Sequence, residues 1–348
     1  MSQGEFDIIK RYFQRPTNKV DGVEIGIGDD CAILNVPERH QLAVTTDSLV
    51  SGVHFFHDVD AYRLGYKSLA VNLSDLAAMG ATAKWVSLAI TLPTIDETWL
   101  ADFCRGFFAL ADKYNVQLIG GDTTKGPLSI TISAKGIVKT GQALTRSGAQ
   151  VGDVICVSGC LGDGALGLAV KLLSTEAQQL TPENQQVFIN ALELTEPRLE
   201  LAKLLVGYAS SCIDISDGLS QDLSHILKKS QCNAEITLDK LPFSDAVLNE
   251  IKLGHLPLSQ VWQYAVNGGD DYELLFTIPA DKMSAFHALL KTQSTLDDVA
   301  CYEIGKITES TLIDSNKSTS ISSTTPSILF THLQQSVDLN SSGWDHFK

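Results

Sequence analysis

Val154-Ile155-Cys156-Val157-Ser158-Gly159-Cys160-Leu161-Gly162-Asp163-Gly164-Ala165-Leu166-Gly167 is the stretch on which the fold turns. Val154–Val157 reads as a buried strand. Gly162 to Gly167 then spell G-x-G-x-x-G at the opening of a helical pattern, the context of a dinucleotide-binding turn. That fold also demands a second parallel strand ending in Asp or Glu about 20 residues further on. The chain has Gln178-Gln179-Leu180-Thr181-Pro182-Glu183-Asn184 there. This polar, proline-interrupted run cannot be a parallel core strand. The turn therefore reads as a tight strand-to-helix joint, or one that touches phosphate, and a NAD-dependent dehydrogenase is disfavoured.

Outward from this turn, strands and helices interleave on both sides. N-terminal to it, Phe6, Ile9 and Phe13 mark a short amphipathic helix, and Leu42–Thr46 reads as a strand delivering Asp47 to a loop. Ala61–Met79 reads as a long helix, Trp85–Leu92 as a buried strand and Glu97–Tyr114 as a second helix. Val116–Ile119 leads into Gly120-Gly121-Asp122, and Leu128, Ile130, Ile132 and Ala134 alternate as a half-buried strand does. C-terminal to the turn-rich joint Arg146–Asp153, strands are expected at Asp153–Ser158, Ala234–Leu238 and Tyr272–Ile278. Helices are expected at Ala165–Leu173, Pro197–Leu205, Asp217–Ser230 and Asp281–Lys291. Ser174–Asn184 and Ser315–Ser327 read as polar surface loops. The class is α/β or α+β in two domains, 1–148 and 149–348, as 348 residues also suggest.

With 26 Lys and Arg against 41 Asp and Glu, the net charge is −15, which offers no electrostatic footprint for nucleic acid or an anionic membrane. No apolar run approaches the ~20 residues of a membrane span. Met1-Ser2-Gln3-Gly4-Glu5 lacks the basic and apolar regions of a signal peptide. The seven cysteines form no C-x-x-C pair, so reduced thiols in a cytoplasmic protein are expected.

The sequence contains no G-x-x-x-x-G-K-[ST] loop. Chemistry points instead to aspartates at strand ends and glycine-rich turns: Asp29 and Asp30, Asp47, Asp75, Asp122, Asp214 and Asp217. Singly, each could cap a helix or close a turn. Asp75 is harder to explain so, because Leu73, Leu76, Ala77 and Met79 surround it and an unpaired buried carboxylate is costly. Two carboxylates about 4 Å apart repel by about 4 kcal/mol at an effective dielectric of 20. Converging aspartates would therefore need a hard divalent cation such as Mg²⁺, which takes oxygen ligands and bridges to phosphates.

The same residues resemble the thiamine-monophosphate kinases. The resemblance runs in order through Gly28-Asp29-Asp30-Cys31-Ala32, Thr45–Phe55, Ala70–Gly80, Gly120–Thr124, Arg146–Ala149, Asp214–Leu219, Gly268–Leu274 and Gly343–Phe347. It implies the ATP-binding fold of aminoimidazole ribonucleotide synthetase, with an N-terminal sheet domain that forms a homodimer and a C-terminal α/β domain. It implies ATP and thiamine monophosphate as substrates, with several Mg²⁺ ions held by Asp30, Thr45, Thr46, Asp47, Asp75, Asp122, Asp214 and Asp217. Thr46, Gly121, Asp122, Arg146 and Ser216 would contact ATP; His54, Asp270 and Trp344 would line the thiamine-phosphate site. The family usually has Glu where Asp270 stands and often Arg at Lys125. Other enzymes of this fold, such as selenophosphate synthetase or a hydrogenase-maturation factor, would show a reactive cysteine in a Gly-rich N-terminal segment or at the C-terminus; here the last cysteine is Cys301 and the sequence ends in Lys348.

Overall fold

A computed structural model of the protein describes residues 5–15, 20–292, 300–310 and 326–339. They form two compact units: residues to Ala143 together with Glu193–Leu199, and Leu144–Leu192 together with Glu200 onward. The mixture of sheets and helices in each bears out the α+β class. Among the described residues no helix is long and apolar enough to cross a membrane.

The first unit opens with α1 (Glu5–Ile8), which runs into a π-turn at Ile9–Phe13, followed by a short ladder of β1 (Val23–Ile25) and β2 (Ile33–Leu34). Its body consists of β3 (His40–Val50), α2 (Ala61–Ala78), β4 (Thr82–Leu92), α3 (Glu97–Lys113), β5 (Gln117–Lys125) and β6 (Ser129–Lys139). The strand order is β3-β6-β4-β5, antiparallel except for the β4–β5 pair. Strict alternation along β6 buries Ile130, Ile132, Ala134 and Val138, and α2 packs on β3, β4 and β6. On the opposite face of β3, Leu42, Val44 and Val50 stay exposed, Val44 by 58%.

Both long helices start at aspartate caps. Asp60 accepts the Arg63 N–H at 3.0 Å, and Asp96 accepts those of Thr98 and Trp99 at 2.9 and 3.1 Å. Where α2 crosses α3 the backbones touch. A Cβ on Gly65 would lie 2.0 Å from the Phe103 carbonyl oxygen, and one on Gly106 would lie 1.8 Å from that of Tyr62. The segment Glu193–Leu199 is fastened to the same helices. Glu196 accepts hydrogen bonds from Tyr66 at 2.7 Å, from Lys113 at 2.5 Å and from Tyr114, while Arg63 reaches Glu193 at 3.2 Å.

The second unit contains β7 (Val154–Ser158), α4 (Asp163–Lys171), α5 (Pro182–Glu193), α6 (Leu199–Leu205), β8 (Ser211–Asp214), α7 (Leu219–Ser230) and β9 (Asn233–Thr237). It continues with α8 (Asp245–Leu253), α9 (Leu258–Asn267), β10 (Leu274–Ile278), α10 (Met283–Leu290), β11 (Cys301–Thr308), β12 (Ile328–His332) and β13 (Gln335–Val337). The last residue of α5, Glu193, and the first of α6, Leu199, belong to the first unit. The sheet runs β13-β12-β9-β11-β7-β10-β8. Leu219, Leu223, Ile226 and Leu227 form the buried stripe of α7 and pack with Ile155, Val157, Ile213, Ile236 and Ile304. A second cluster joins Leu166 and Val170 of α4 to Phe188, Val247 and Val261.

Strand β7 lies between β10 and β11 and is antiparallel to both, so β7 and α4 do not open a parallel β-α-β unit of the dinucleotide type. Several sequence expectations change. Strand β3 continues through Asp47 to Val50, because Thr45, Asp47 and Leu49 share one face of an unbroken ladder with β6. Likewise β5 runs through Gly120-Gly121-Asp122 rather than ending there. The expected loop Ser174–Asn184 contains a 3-10 turn at Ala177–Gln179 and the proline-led start of α5. Most of the expected loop Ser315–Ser327, and the segment Gly343–Phe347 with Trp344, lie outside the described residues. All seven cysteines are free, and burial pushes the Cys104 thiol up to about 12.

The α2–α3 crossing yields a direct expectation. Gly106→Ala lowers folding stability by at least about 1–3 kcal/mol, the usual cost of overpacking, because backbone rather than a side chain must give way. Denaturant unfolding of the two proteins measures it; an unchanged midpoint and slope would mean the helices can separate freely.

Candidate functional site

In the first unit the acidic residues gather in two places. The first lies where β3 meets α2. The Thr45 hydroxyl donates to Asp75 Oδ2, and Asn72 Oδ1 accepts the Asp47 N–H at 3.3 Å while its own Nδ2 donates to the Ser68 carbonyl at 3.1 Å. Burial, and then the charge of Asp75, push the Asp47 carboxyl up to about 6. These half-buried oxygen donors, repelling one another, suit a hard cation. Thr46 faces the other way and is exposed, its hydroxyl donating to the Thr45 carbonyl at 2.8 Å.

The second place is a cavity of about 700 Å³ lined by Gly28, Asp29, Asp30, Gly120, Gly121 and Asp122, with Phe13 and Gln14 beside them. Gly121 has φ +151°, and a Cβ there would sit 1.7 Å from the Leu88 carbonyl oxygen. Only glycine lets β5 approach β4 at that point. The sheet register separates the two places. Asp47, Ile132, Leu88 and Gly121 form one row across β3, β6, β4 and β5. Asp47 thus lies three strand spacings, about 14 Å, from Gly121, and Asp122 belongs to the next row, on the opposite face. Among the described residues no group of three or more His, Cys, Asp and Glu side chains is drawn together closely enough to hold an ion.

His54 follows β3. Its Nδ1 accepts the Val50 N–H at 3.1 Å, so in the neutral ring Nε2 carries the proton and is the donor. In the same loop Ser51 Oγ pairs with His57 Nδ1 at 2.8 Å.

In the second unit, β8 ends at the buried Asp214 and a turn leads through Ser216 and Asp217 into α7. Asp222, which the sequence reading did not single out, organises this turn. Its Oδ2 accepts the N–H groups of Ser216, Asp217 and Gly218 at 3.1, 3.1 and 3.2 Å. Burial, and then Asp214, push the Asp222 carboxyl up to about 8. The signal was an acidic residue in the first turn of a helix opened by glycine. Gln221 donates to Asp217 Oδ2 at 3.1 Å. Arg146 is exposed; its charge holds the His225 ring down, after burial, while Asp217 opposes it, so both lie near that ring.

Asp270 joins this turn directly. Its N–H donates to the Ser216 carbonyl at 3.0 Å, and the Tyr272 N–H donates to that of Ile215 at 2.8 Å. Asp270, Ser216 and Asp217 therefore share one corner of the unit. Next to it, the carboxylate of Asp271 accepts the Gly162 N–H at 2.9 and 3.0 Å and the Gly164 N–H at 3.3 Å. The amides of Gly162 and Gly164 in the G-x-G-x-x-G turn thus already have an internal acceptor. Asp271, like Asp222 and Asn72, was absent from the expected site, because its partners are backbone groups more than 100 positions away.

Residues 28–138 match the family model described as AIR synthase related protein, N-terminal domain, and residues 150–315 match its C-terminal domain. The chain is 48% identical over 310 residues to a thiamine-monophosphate kinase of Haemophilus influenzae, covering 89% of this chain and 90% of that protein. The crystal structure of thiamine-monophosphate kinase from Stenotrophomonas maltophilia aligns with a TM-score of 0.75 at 43% identity, over 83% of this chain and 89% of the other. A further structure, AaThiL complexed with AMPPCP and TMP, aligns with a TM-score of 0.71 at 28% identity, over 92% of each chain. Similarity over about nine-tenths of the chain and matches to both halves of the family fold lead to one conclusion: the chain belongs to the thiamine-monophosphate kinase family of AIR synthase related proteins.

Proposed function

We propose that this protein transfers the γ-phosphate of ATP to thiamine monophosphate, giving thiamine diphosphate, by direct in-line displacement in the presence of several Mg²⁺ ions. The observation that carries the reading is the match to a thiamine-monophosphate kinase along nine-tenths of the chain. The ATP analogue and TMP held by AaThiL support the choice of both substrates.

The residues suit the chemistry. A phosphate monoester has its second pKa near ~6, so the acceptor is largely dianionic at neutral pH and needs no general base. The obstacle is repulsion between two anions, and positioning with charge neutralisation is what a phosphoryl-transfer enzyme must supply. Asp47 and Asp75, with the Thr45 hydroxyl, offer one set of oxygen ligands; Asp30 and Asp122 would supply a second, and Asp214 and Asp217 a third. Mg²⁺ bound there would neutralise charge on the phosphate oxygens. Thr46, Gly121, Arg146 and Ser216 are assigned to ATP. His54, through a fixed Nε2–H donor, and Asp270, beside Ser216, are assigned to thiamine monophosphate, as is Trp344. An enzyme acting on cytoplasmic nucleotides also suits the reduced thiols.

The exposed Leu42, Val44 and Val50 on the open face of β3 suit a second copy of the chain, and we assign the homodimer contact to this sheet. Val44→Lys should then yield a monomer by sedimentation, and an undisturbed dimer would move the contact elsewhere.

The transfer itself is tested by incubating the protein with ATP, Mg²⁺ and thiamine monophosphate and looking for thiamine diphosphate. Asp75→Asn should lower turnover by at least about a hundredfold, the scale of losing one electrostatic partner of a transition state, with an unaltered melting temperature. Full activity in this variant would remove Asp75 from the metal set. With a chirally labelled γ-phosphate, direct transfer inverts configuration once; retention would require a phosphoenzyme.

A further inference from the structure

A strand-to-helix turn rich in glycine gathers backbone N–H groups at the positive end of a helix and so favours an anion. In this protein the acceptor at Gly162 and Gly164 is the Asp271 carboxyl group, with both oxygens within 3.0 Å of the Gly162 nitrogen. Burial pushes the Asp271 carboxyl well above the usual carboxylate range, and the N–H groups of Gly162 and Gly164 pull it back. The neighbouring acids leave these amides to it, because each has a hydroxyl donor of its own. Ser244 donates to Asp163 at 2.9 Å and Ser158 to Glu273 at 2.6 Å.

The residues on either side of Asp271 have left-handed backbones: φ is +66° at Asp270 and +50° at Tyr272. Residues other than glycine stay in that region only where their surroundings over-determine it. The surroundings here leave no slack. A Cβ on Gly164 would lie 2.5 Å from the Asp270 carbonyl oxygen, one on Gly268 2.3 Å from the Ala165 Cβ, and one on Gly269 2.2 Å from the Ser216 carbonyl oxygen. Gly268–Tyr272 is thus wedged between the turn that opens α4 and the turn that opens α7. The Asp271 clamp holds it on one side, and the bonds to Ser216 and Ile215 hold it on the other.

We infer that Asp271 is a positioning residue for the phosphoryl-transfer reaction: its carboxylate takes the place of a phosphate at the Gly162–Gly164 turn and thereby fixes Asp270 beside Ser216 and Asp217. The inference rests on the assignment of Asp270 to thiamine monophosphate, and it assigns the glycine-rich turn a bracing function that excludes nucleotide phosphates from it.

Asp271→Asn keeps the shape of the side chain but replaces one acceptor oxygen with an NH₂ group. The test compares Asp270→Ala, Asp271→Asn and the double variant by KM for each substrate, by kcat and by amide exchange. Asp271→Asn should raise the KM for thiamine monophosphate by about tenfold to a hundredfold, the scale of a misplaced substrate-positioning group, with a smaller change for ATP. The double variant should be no worse than Asp270→Ala alone, because one effect acts through the other. The amides of Gly162, Gly164 and Asp270 should exchange faster. Gly164→Ala, which pushes on Asp270 while leaving the Asp271 side chain in place, should reproduce the KM shift, and it decides the matter if Asp271→Asn does not fold. If Asp270→Ala raises this KM but Asp271→Asn and Gly164→Ala leave it unaltered, or if the effects add, the positioning role is overturned and the assignment of Asp270 stands. If Asp270→Ala leaves the KM unaltered, that assignment falls and the inference falls with it.

Discussion

Hydrogen bonds from backbone N–H groups to aspartate carboxylates, made where helices begin, hold the turns of this protein in shape. Asp60 and Asp96 start the two long helices of the first unit. Asp222 gathers three successive amides ahead of α7, and Asp271 gathers those of Gly162 and Gly164 ahead of α4. The first four N–H groups of a helix have no partner within it, so each such carboxylate satisfies donors that would otherwise be lost. A cap of this kind contributes about 1 kcal/mol. More important here, the two caps in the second unit bring the turns they shape against the segment that carries Asp270.

This accounting divides the aspartates by what they face. Asp60, Asp96, Asp222 and Asp271 face peptide N–H groups. Asp47 and Asp75 face each other and a threonine hydroxyl, and the upward displacement of the Asp47 carboxyl reflects burial next to a like charge. Burial raises the capping Asp222 as well, to about 8, with Asp214 adding to the shift and the Asp217 and Ser216 amides opposing it, so what sets the capping carboxyls apart is their backbone donors. The acidic composition thus has two separate physical settings.

Glycine does its main work here by close approach. Gly65 and Gly106 let α2 and α3 meet backbone to backbone, and Gly121 lets β5 lie against β4. Gly164, Gly268 and Gly269 do the same around Asp270. At all of these except Gly268, which meets the Ala165 Cβ, a single methyl group would displace a carbonyl oxygen of a neighbouring element, so these positions couple elements far apart in sequence through direct backbone contact.

The sequence by itself determined the class of fold, most helices and strands, the two-part organisation and the family, because periodicity and ordered motifs are local properties of the chain. It placed Asp75 correctly on α2 and singled out the turn at Gly162 as a tight strand-to-helix joint. Tertiary structure alone decided that β7 has antiparallel neighbours, that Asp47 lies inside a strand, and that Asp47 and Asp122 occupy different rows of one sheet. It alone revealed Asp222 as the organiser of the Ser216 turn and Asp271 as the acceptor in the glycine-rich turn. The reason is physical: strand order, register and the reach of Asp271 to Gly162, 109 positions away, are set by packing between distant segments that no local pattern encodes. Asp222, by contrast, takes amides only four to six positions away, and a first-turn acidic residue does not by itself say which amides those are.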